Sequence, residues 1–445
     1  MDLADLNAVA AIADLKRGAI KSADLVEACL ARISERDDEV QAWAHLDPEF
    51  ARTQARARDD FREAGHDIGP LHGLPVGIKD IFDTRELPTE NGTALDAGRQ
   101  PTENCSVVNQ LKEAGAVIMG KTVTTELAVY HPGKTRNPHN PGHTPGGSSS
   151  GSAAAVAAGM VPLAVGTQTN GSVIRPGSFC GVYGFKPTHG RISRHGVLLQ
   201  SPYLDQVGVY ARSIADLALV AESLMAYDDR DPDMRPTSRP HLVETVAGGP
   251  PVTPTLAFVK SPVWDQAEAA TKEAFAELAD VLGDDCDEVD LPEPFDSAVE
   301  LHRTIMHADL AKNFAGYYAR GKEELSAVLR DMIENGQEVR AVDYNRAVDW
   351  RGVLNAGLDR VFERYDAIMT PATAGEAPAG LESTGSPVFC TLWTYCGTPA
   401  VTLPLMEGPS GLPLGVQLVG PRGDDARLLR TAGWLERRVA NEDQD

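Results

Sequence analysis

The order of apolar and polar residues predicts short strands alternating with helices along the whole chain. Leu25, Val26, Cys29, Leu30 and Ile33 recur at the spacing of one helix face. Ser22 stands where a side chain can cap that helix, with Asp24 in its first turn. Leu74 to Asp80 reads as an apolar strand ending in charge, Val107 to Ala114 as a helix, and Ala116 to Met119 as a buried strand. Residues 137–151 are loop, carrying Pro138, Pro141, Gly142, Pro145, Gly146, Gly147 and three serines. An alanine-rich helix from Ser152 to Ala158 stops at Gly159, and Val161 to Val165 is again short and apolar. Residues 226–252, rich in Asp, Pro and Gly, read as a surface connection. Thr255 to Val259, Gln266 to Leu282 and Glu288 to Leu291 predict strand, helix, strand. Asp296 to Ile333 is largely helical, and Ala367 to Met369 and Leu414 to Val419 are late strands. This alternation indicates an α/β layered fold. No composition break cuts the chain and no repeat divides it, so a single domain over 1–445 is expected, although length alone suggests about three.

Charge narrows the partners. The 41 Lys+Arg stand against 64 Asp+Glu, a net charge of −23, which repels phosphate backbones and anionic lipid heads. Aromatics are 6%, too few for a base-stacking surface, so neither nucleic acid nor membrane is an expected partner. The start, Asp2-Leu3-Ala4-Asp5-Leu6, lacks the basic and apolar regions of a secretory leader. No run reaches the roughly 18 apolar residues of a membrane span; the longest candidate, Ala153 to Val165, is broken by Gly159 and Pro162. The six cysteines form no C-x-x-C pair and no zinc-type cluster, so reduced thiols, no metal site and a cytoplasmic location are expected.

Two motif matches fail on mechanism. Gly115 to Thr122 fits the phosphate-loop pattern G-x-x-x-x-G-K-[ST], yet its middle residues are themselves an apolar strand rather than a loop of free amides. Gly147-Ser148-Ser149-Ser150-Gly151 fits the nucleophile elbow G-x-S-x-G. The elbow needs a central strand before it, and Pro141, Gly142, Pro145 and Gly146 forbid one. The acidic run Asp284, Asp285, Asp287, Glu288 lacks calcium-loop spacing and reads as a solvated turn.

Three elements carry the chemistry: Lys79 at the end of an apolar strand, Gly146 to Ser152 opening the alanine helix, and the run from Gly166 to Pro176. The last two are dense in glycine and hydroxyl groups, and loops of this kind gather free amide donors that suit an oxyanion. With Leu74-Pro75-Val76-Gly77-Ile78-Lys79-Asp80, Gly120-Lys121-Thr122, Glu126, Thr144-Pro145-Gly146-Gly147-Ser148-Ser149, Phe179-Cys180-Gly181, Gly184 to Thr188, Leu204-Asp205-Gln206-Val207-Gly208 and Gly397-Thr398-Pro399-Ala400, these segments resemble the amidase signature family along nearly the whole chain.

The resemblance implies one large domain: a central twisted mixed β-sheet covered by helices on both faces. The signature core covers about 70–215, and a variable helical substrate region about 295–350. It implies an amidase that cleaves a carboxylic amide C–N bond through a serine acyl-enzyme, without metal or cofactor, on a small-molecule amide, and a homodimer. Esters and carbamates are chemically continuous with that reaction. Matched position by position, Ser172 is the nucleophile, Ser148 the bridging serine after a cis Gly147–Ser148 peptide, and Lys79 the base. Free lysine, with a pKa of about 10.4, is protonated and useless as a base; burial beside Leu74, Val76 and Ile78 lowers it. The amides of Thr169, Asn170, Gly171 and Ser172 form the oxyanion hole. The family usually carries Gly where this chain has Asn170, whose tolerance of left-handed backbone keeps that hole feasible. Tyr130 and Trp393, read as loop residues, together with Gln168 and Arg175, are candidate substrate contacts; for Arg175 a structural ion pair is the alternative. Within the family, the glutaminase-type subunit of a tRNA-dependent amidotransferase is the nearest rival, with partner subunits and an ammonia channel. Its pattern has Arg two residues after the serine, whereas Arg175 lies three after Ser172. A non-catalytic binding protein on the same fold is the other.

Overall fold

Every apolar strand segment read from the sequence joins one continuous sheet in the computed structural model, which describes residues 2–442. Its strands are β1 (Trp43–Leu46), β2 (Pro75–Lys79), β3 (Val117–Thr122), β4 (Leu163–Gln168), β5 (Tyr183–Lys186), β6 (Gln206–Ala211), β7 (Leu256–Val259), β8 (Cys286–Val289), β9 (Ala367–Pro371), β10 (Ala400–Glu407) and β11 (Pro413–Val419). The order is β1-β3-β2-β4-β6-β5-β10-β11-β9-β7-β8, so the division by length into several domains does not hold. Pairing is mixed. β2 runs parallel to β3 and β4, and β7 to β8 and β9, while β4/β6, β5/β6, β5/β10, β10/β11, β9/β11 and β1/β3 are antiparallel.

Period-two alternation assigns the faces. Val76 and Ile78 of β2, Leu163 and Val165 of β4 and Val416 and Leu418 of β11 enter one apolar cluster that spans the sheet. On the opposite face Ala164 of β4 and Val173 belong to a second cluster, and Ile174, Ile368 and Val419 to a third. The junction of those two clusters falls between Val173 and Ile174, beside the run that holds Ser172. Lys79 follows Ile78 on β2, so its side chain leaves the spanning cluster for the opposite face of the sheet.

Several local readings change. The first amphipathic helix is Ser22–Val40, but Ser22 is inside it and donates to Gly73 O at 2.9 Å. Its capping acceptor is the carboxylate of Asp59, taking the amides of Ser22 at 2.7 Å and Ala23 at 3.0 Å from a helix over Pro48–Glu63. β3 runs on through Gly120-Lys121-Thr122, so the rejected phosphate-loop match is strand throughout its second half. The second acidic strand is Cys286–Val289, ahead of its expected place. The 226–252 connection contains a helix, Leu242–Gly248, anchored by buried Leu242. No helix of the described residues is long and apolar enough to cross a membrane, and all six cysteines are free thiols.

Candidate active site

Lys79 is fully buried at the end of β2. Its Nζ donates to Ser148 Oγ at 2.8 Å and to Thr167 Oγ1, on neighbouring β4, also at 2.8 Å. Burial drives the amine well below its ordinary pKa, and the more distant Asp205 carboxylate pulls weakly the other way. An amine buried in this way between two hydroxyls gives up its proton more readily than a free lysine. The charge Asp80 carries is directed elsewhere, onto buried Lys121 at 3.2 Å. Lys121 also donates to Phe82 O at 2.9 Å and Thr89 Oγ1 at 2.6 Å, so this second lysine is committed to the fold.

The serine-rich loop divides its labour. The Gly147–Ser148 peptide is cis, and Ser148 presents its hydroxyl to Lys79. Ser149 donates to Thr167 O at 3.1 Å and accepts from Thr167 N at 3.2 Å, which makes the rejected elbow serine a clasp onto β4. Ser150 bonds to Val123 O at 3.3 Å and Ser152 to Val165 O at 2.9 Å. The following helix, Ser150–Ala157, lies so close to the sheet that a Cβ on Gly151 would sit 2.3 Å from Ala42 O.

Ser172 is 9% exposed against 1% for Ser148 and 0% for Lys79, and among the described residues its hydroxyl makes no hydrogen bond to either. The amides of Thr169, Asn170, Gly171 and Ser172 donate to no protein acceptor among the described residues, whereas those of Val173 and Ile174 both go to Gln168 Oε1, at 2.8 and 3.0 Å. Four consecutive free donors beside a hydroxyl suit a developing oxyanion. The run carrying them is held from every side. Thr169 donates its hydroxyl to Asp205 at 2.7 Å, and its carbonyl accepts from His302 Nε2 at 2.9 Å. Tyr210 OH donates to Ser172 O at 3.0 Å. Thr391 binds Asn170 Oδ1 at 2.7 Å, and Thr394 binds Asn170 O, both from the Val388–Cys396 helix. Gly171 faces that helix so tightly that a Cβ would meet Pro387 Cβ at 2.9 Å. Asn170 is not among the residues with positive φ, so its backbone does not use the left-handed tolerance expected of it.

This arrangement has relatives. A family model described as Amidase matches residues 24–429. The chain belongs to the amidase signature family. It is 34% identical to a glutamyl-tRNA(Gln) amidotransferase subunit of Chloroflexus aurantiacus, over 98% of this chain and 97% of that one. Among solved structures it resembles the peptide amidase of Stenotrophomonas maltophilia, with a TM-score of 0.85, 27% identity and coverage of 98% and 97%. It also resembles a chain from a vestigial protein complex that bears on the origins of an s-triazine catabolic enzyme, with a TM-score of 0.90, 28% identity and 98% of each chain covered.

Within this amidase signature fold the four candidate substrate contacts separate. Tyr130 is in a loop, as expected, and lines a cavity of about 350 Å³ with Asn170, His302, Met306, Pro387 and Thr391; its hydroxyl accepts from Asn170 Nδ2 at 2.9 Å. The other three do not line that cavity. Gln168 is fully buried and spends both ends of its amide on the protein, donating to Thr394 Oγ1 at 2.9 Å while capping Val173 and Ile174. Arg175 is fully buried too and, among the described residues, pairs with no carboxylate. It donates to Gly147 O at 2.6 Å and to Gly385 O, tying the serine loop to the 385 turn. Trp393 belongs to the Val388–Cys396 helix rather than a loop, with its ring packed in the core. Sequence reading missed Thr167, His302, Thr391 and Thr394. Thr167 lies within the 166–176 run, but no local signal marks the other three, which arrive from elements more than 130 residues away in sequence from their partners.

Proposed function

We propose that the protein is an amidase that hydrolyses a carboxylic amide through a serine acyl-enzyme, with Ser172 as nucleophile, Ser148 as proton relay and Lys79 as base. The observation that carries this reading is the buried Lys79 amine held between two hydroxyls. Ser148 accepts the Ser172 proton and passes its own to neutral Lys79 while Ser172 Oγ bonds to the amide carbon. The carbonyl oxygen gains the negative charge and is received by the free amides of the run Thr169, Asn170, Gly171 and Ser172. The C–N bond then breaks as the proton held on Lys79 returns through Ser148 to the leaving nitrogen. Water repeats the sequence on the ester and releases the acid.

The acyl or amine part of the substrate fits the 350 Å³ cavity beside Asn170, whose walls are largely apolar: Val299, Met306, Val328, Met332, Pro387 and Val388. The helices over Ala298–Asn313 and Ala327–Gln337 supply most of that wall, which favours an apolar amide over a charged one. A panel of aryl, aliphatic and dicarboxylic amides, with matched esters and carbamates, tests it. Turnover of apolar amides and a fluorophosphonate mass shift on Ser172 are expected; no turnover and no labelling of Ser172 in the folded protein overturn the reading.

The 34% identity to an amidotransferase component favours a second reading, a glutaminase-type chain that works with partner chains. The net charge of −23 speaks against direct tRNA contact by this chain. Ammonia release from glutamine by the purified chain, with no turnover of simple apolar amides, would select it.

A further inference from the structure

A second cavity, about 600 Å³, is lined by none of the residues proposed for catalysis. Arg191, Arg235, Arg351 and Arg422 stand round it with Asp233, so four cations face one carboxylate in a chain whose total is −23. Even that carboxylate is engaged, by Arg194 at 2.6 Å from outside the lining. Arg191 lies 3.7 Å from Asp425 and donates to Thr237 Oγ1 at 2.8 Å and Gly423 O at 3.1 Å. Among the described residues Arg235, Arg351 and Arg422 pair with no carboxylate; Arg351 donates only to a carbonyl, Tyr203 O at 3.1 Å. The local field is felt by His189 in the same wall, which burial and then Arg351 and Arg194 push down to about 3.

The second observation is independent of charge. Asn355, on the Ala341–Phe362 helix, lines this cavity and is 3% exposed, yet neither Nδ2 nor Oδ1 has a hydrogen-bond partner. A buried carboxamide with both ends unused is costly unless something else meets it. At about 600 Å³ the concavity is in the size range of small-molecule sites.

We infer that this cavity is a binding site for a small polyanion, a molecule bearing two or more carboxylate or phosphate groups, with Arg351, Arg422 and Arg235 on its charged oxygens and the Asn355 amide on a further polar group. Guanidinium forks match both kinds of oxyanion, so the two sources share one recognition chemistry.

Calorimetric titration of the full chain with sodium pyrophosphate and, separately, with citrate, at constant ionic strength, tests it. Saturable one-site binding of at least one probe is expected, and which one binds tells phosphate from carboxylate. Ser172→Ala should leave the affinity unchanged. Arg351→Gln, and independently the double variant Arg235→Gln/Arg422→Gln at two exposed positions, should each weaken it about tenfold or more, the effect of losing one charge-assisted contact. Asn355→Leu should weaken binding while leaving the ligand-free melting temperature equal or higher. Absence of saturation with both probes, affinity unchanged in folded Arg235→Gln/Arg422→Gln, or loss of binding in Ser172→Ala each overturns the proposal.

Discussion

Lys79 has two hydroxyls in contact and no carboxylate, so its proton affinity is set by burial before anything else. Two expectations follow at this scale. Lys79→Ala and Ser172→Ala should each abolish turnover, with circular dichroism and melting close to the parent; full activity of folded Lys79→Ala at neutral pH sinks the role given to the lysine. The base form is the deprotonated one, so kcat/KM should rise with pH through the lowered Lys79 pKa and fall below it. Asp205 is the charge that opposes the lowering. Asp205→Asn should therefore move the acid limb of the kcat/KM profile to lower pH, and a limb displaced to higher pH contradicts the electrostatic account. Lys79, Ser148 and Ser172 were readable because short motifs place them. The role of Asp205 was not, because the motif around it names the residue without saying that its carboxylate faces Thr169.

The Val388–Cys396 helix is what makes the Asn170 run a fixed object. Thr391 holds the Asn170 side chain, Thr394 holds its carbonyl and also receives Gln168, and Pro387 closes on Gly171. Thr394→Val keeps the shape and removes both bonds. Its stability cost should be about 1–2 kcal/mol, since the carbonyl and amide left behind are buried. Its kinetic cost should be larger, roughly 10–100-fold in kcat with little change in KM, because a displaced donor loses transition-state binding first. A change confined to KM would place the helix in substrate binding instead. The same helix shows where sequence reading stops. Its residues are buried on all sides, so no periodic stripe announces it, and from the sequence core packing is the commoner reading of Trp393 beside the pocket one. The strands over 75–79 and 163–168 were legible because their apolar runs are short and bounded by Pro, Gly or charge. β1, with its half-exposed pattern, and β5 and β6, embedded in glycine-rich motifs, were not. The capping of the Ser22–Val40 helix was misread for a different reason: Asp59 comes from 37 residues away, and spacing along a chain cannot display such a partner.

Across the whole molecule, proton linkage joins stability to the same site. Thr169 is gripped by two buried titratable groups, His302 on its carbonyl and Asp205 on its hydroxyl. Burial pushes His302 down to about 4 and Asp205 up to about 6. Unfolding returns them to about 6.5 and about 3.9. Below pH 6.5 the unfolded chain therefore takes up a proton at His302 that the native protein refuses, and native stability falls until the pH reaches about 4. Asp205 acts in reverse: between pH 6 and 3.9 the native protein binds the extra proton, and stability rises as pH falls. His302→Gln retains a donor for Thr169 O but cannot be protonated. Measured by urea unfolding at a series of pH values, this variant should gain on the parent as pH drops from about 6.5 to about 4, by about 3 kcal/mol in all. Asp205→Asn should lose ground to the parent over the lower part of that interval. The opposite slopes are the decisive feature, because general damage to the fold would displace both curves without tilting them against each other. Parallel pH dependences for the two variants and the parent would mean that burial shifts the proton affinity of neither group.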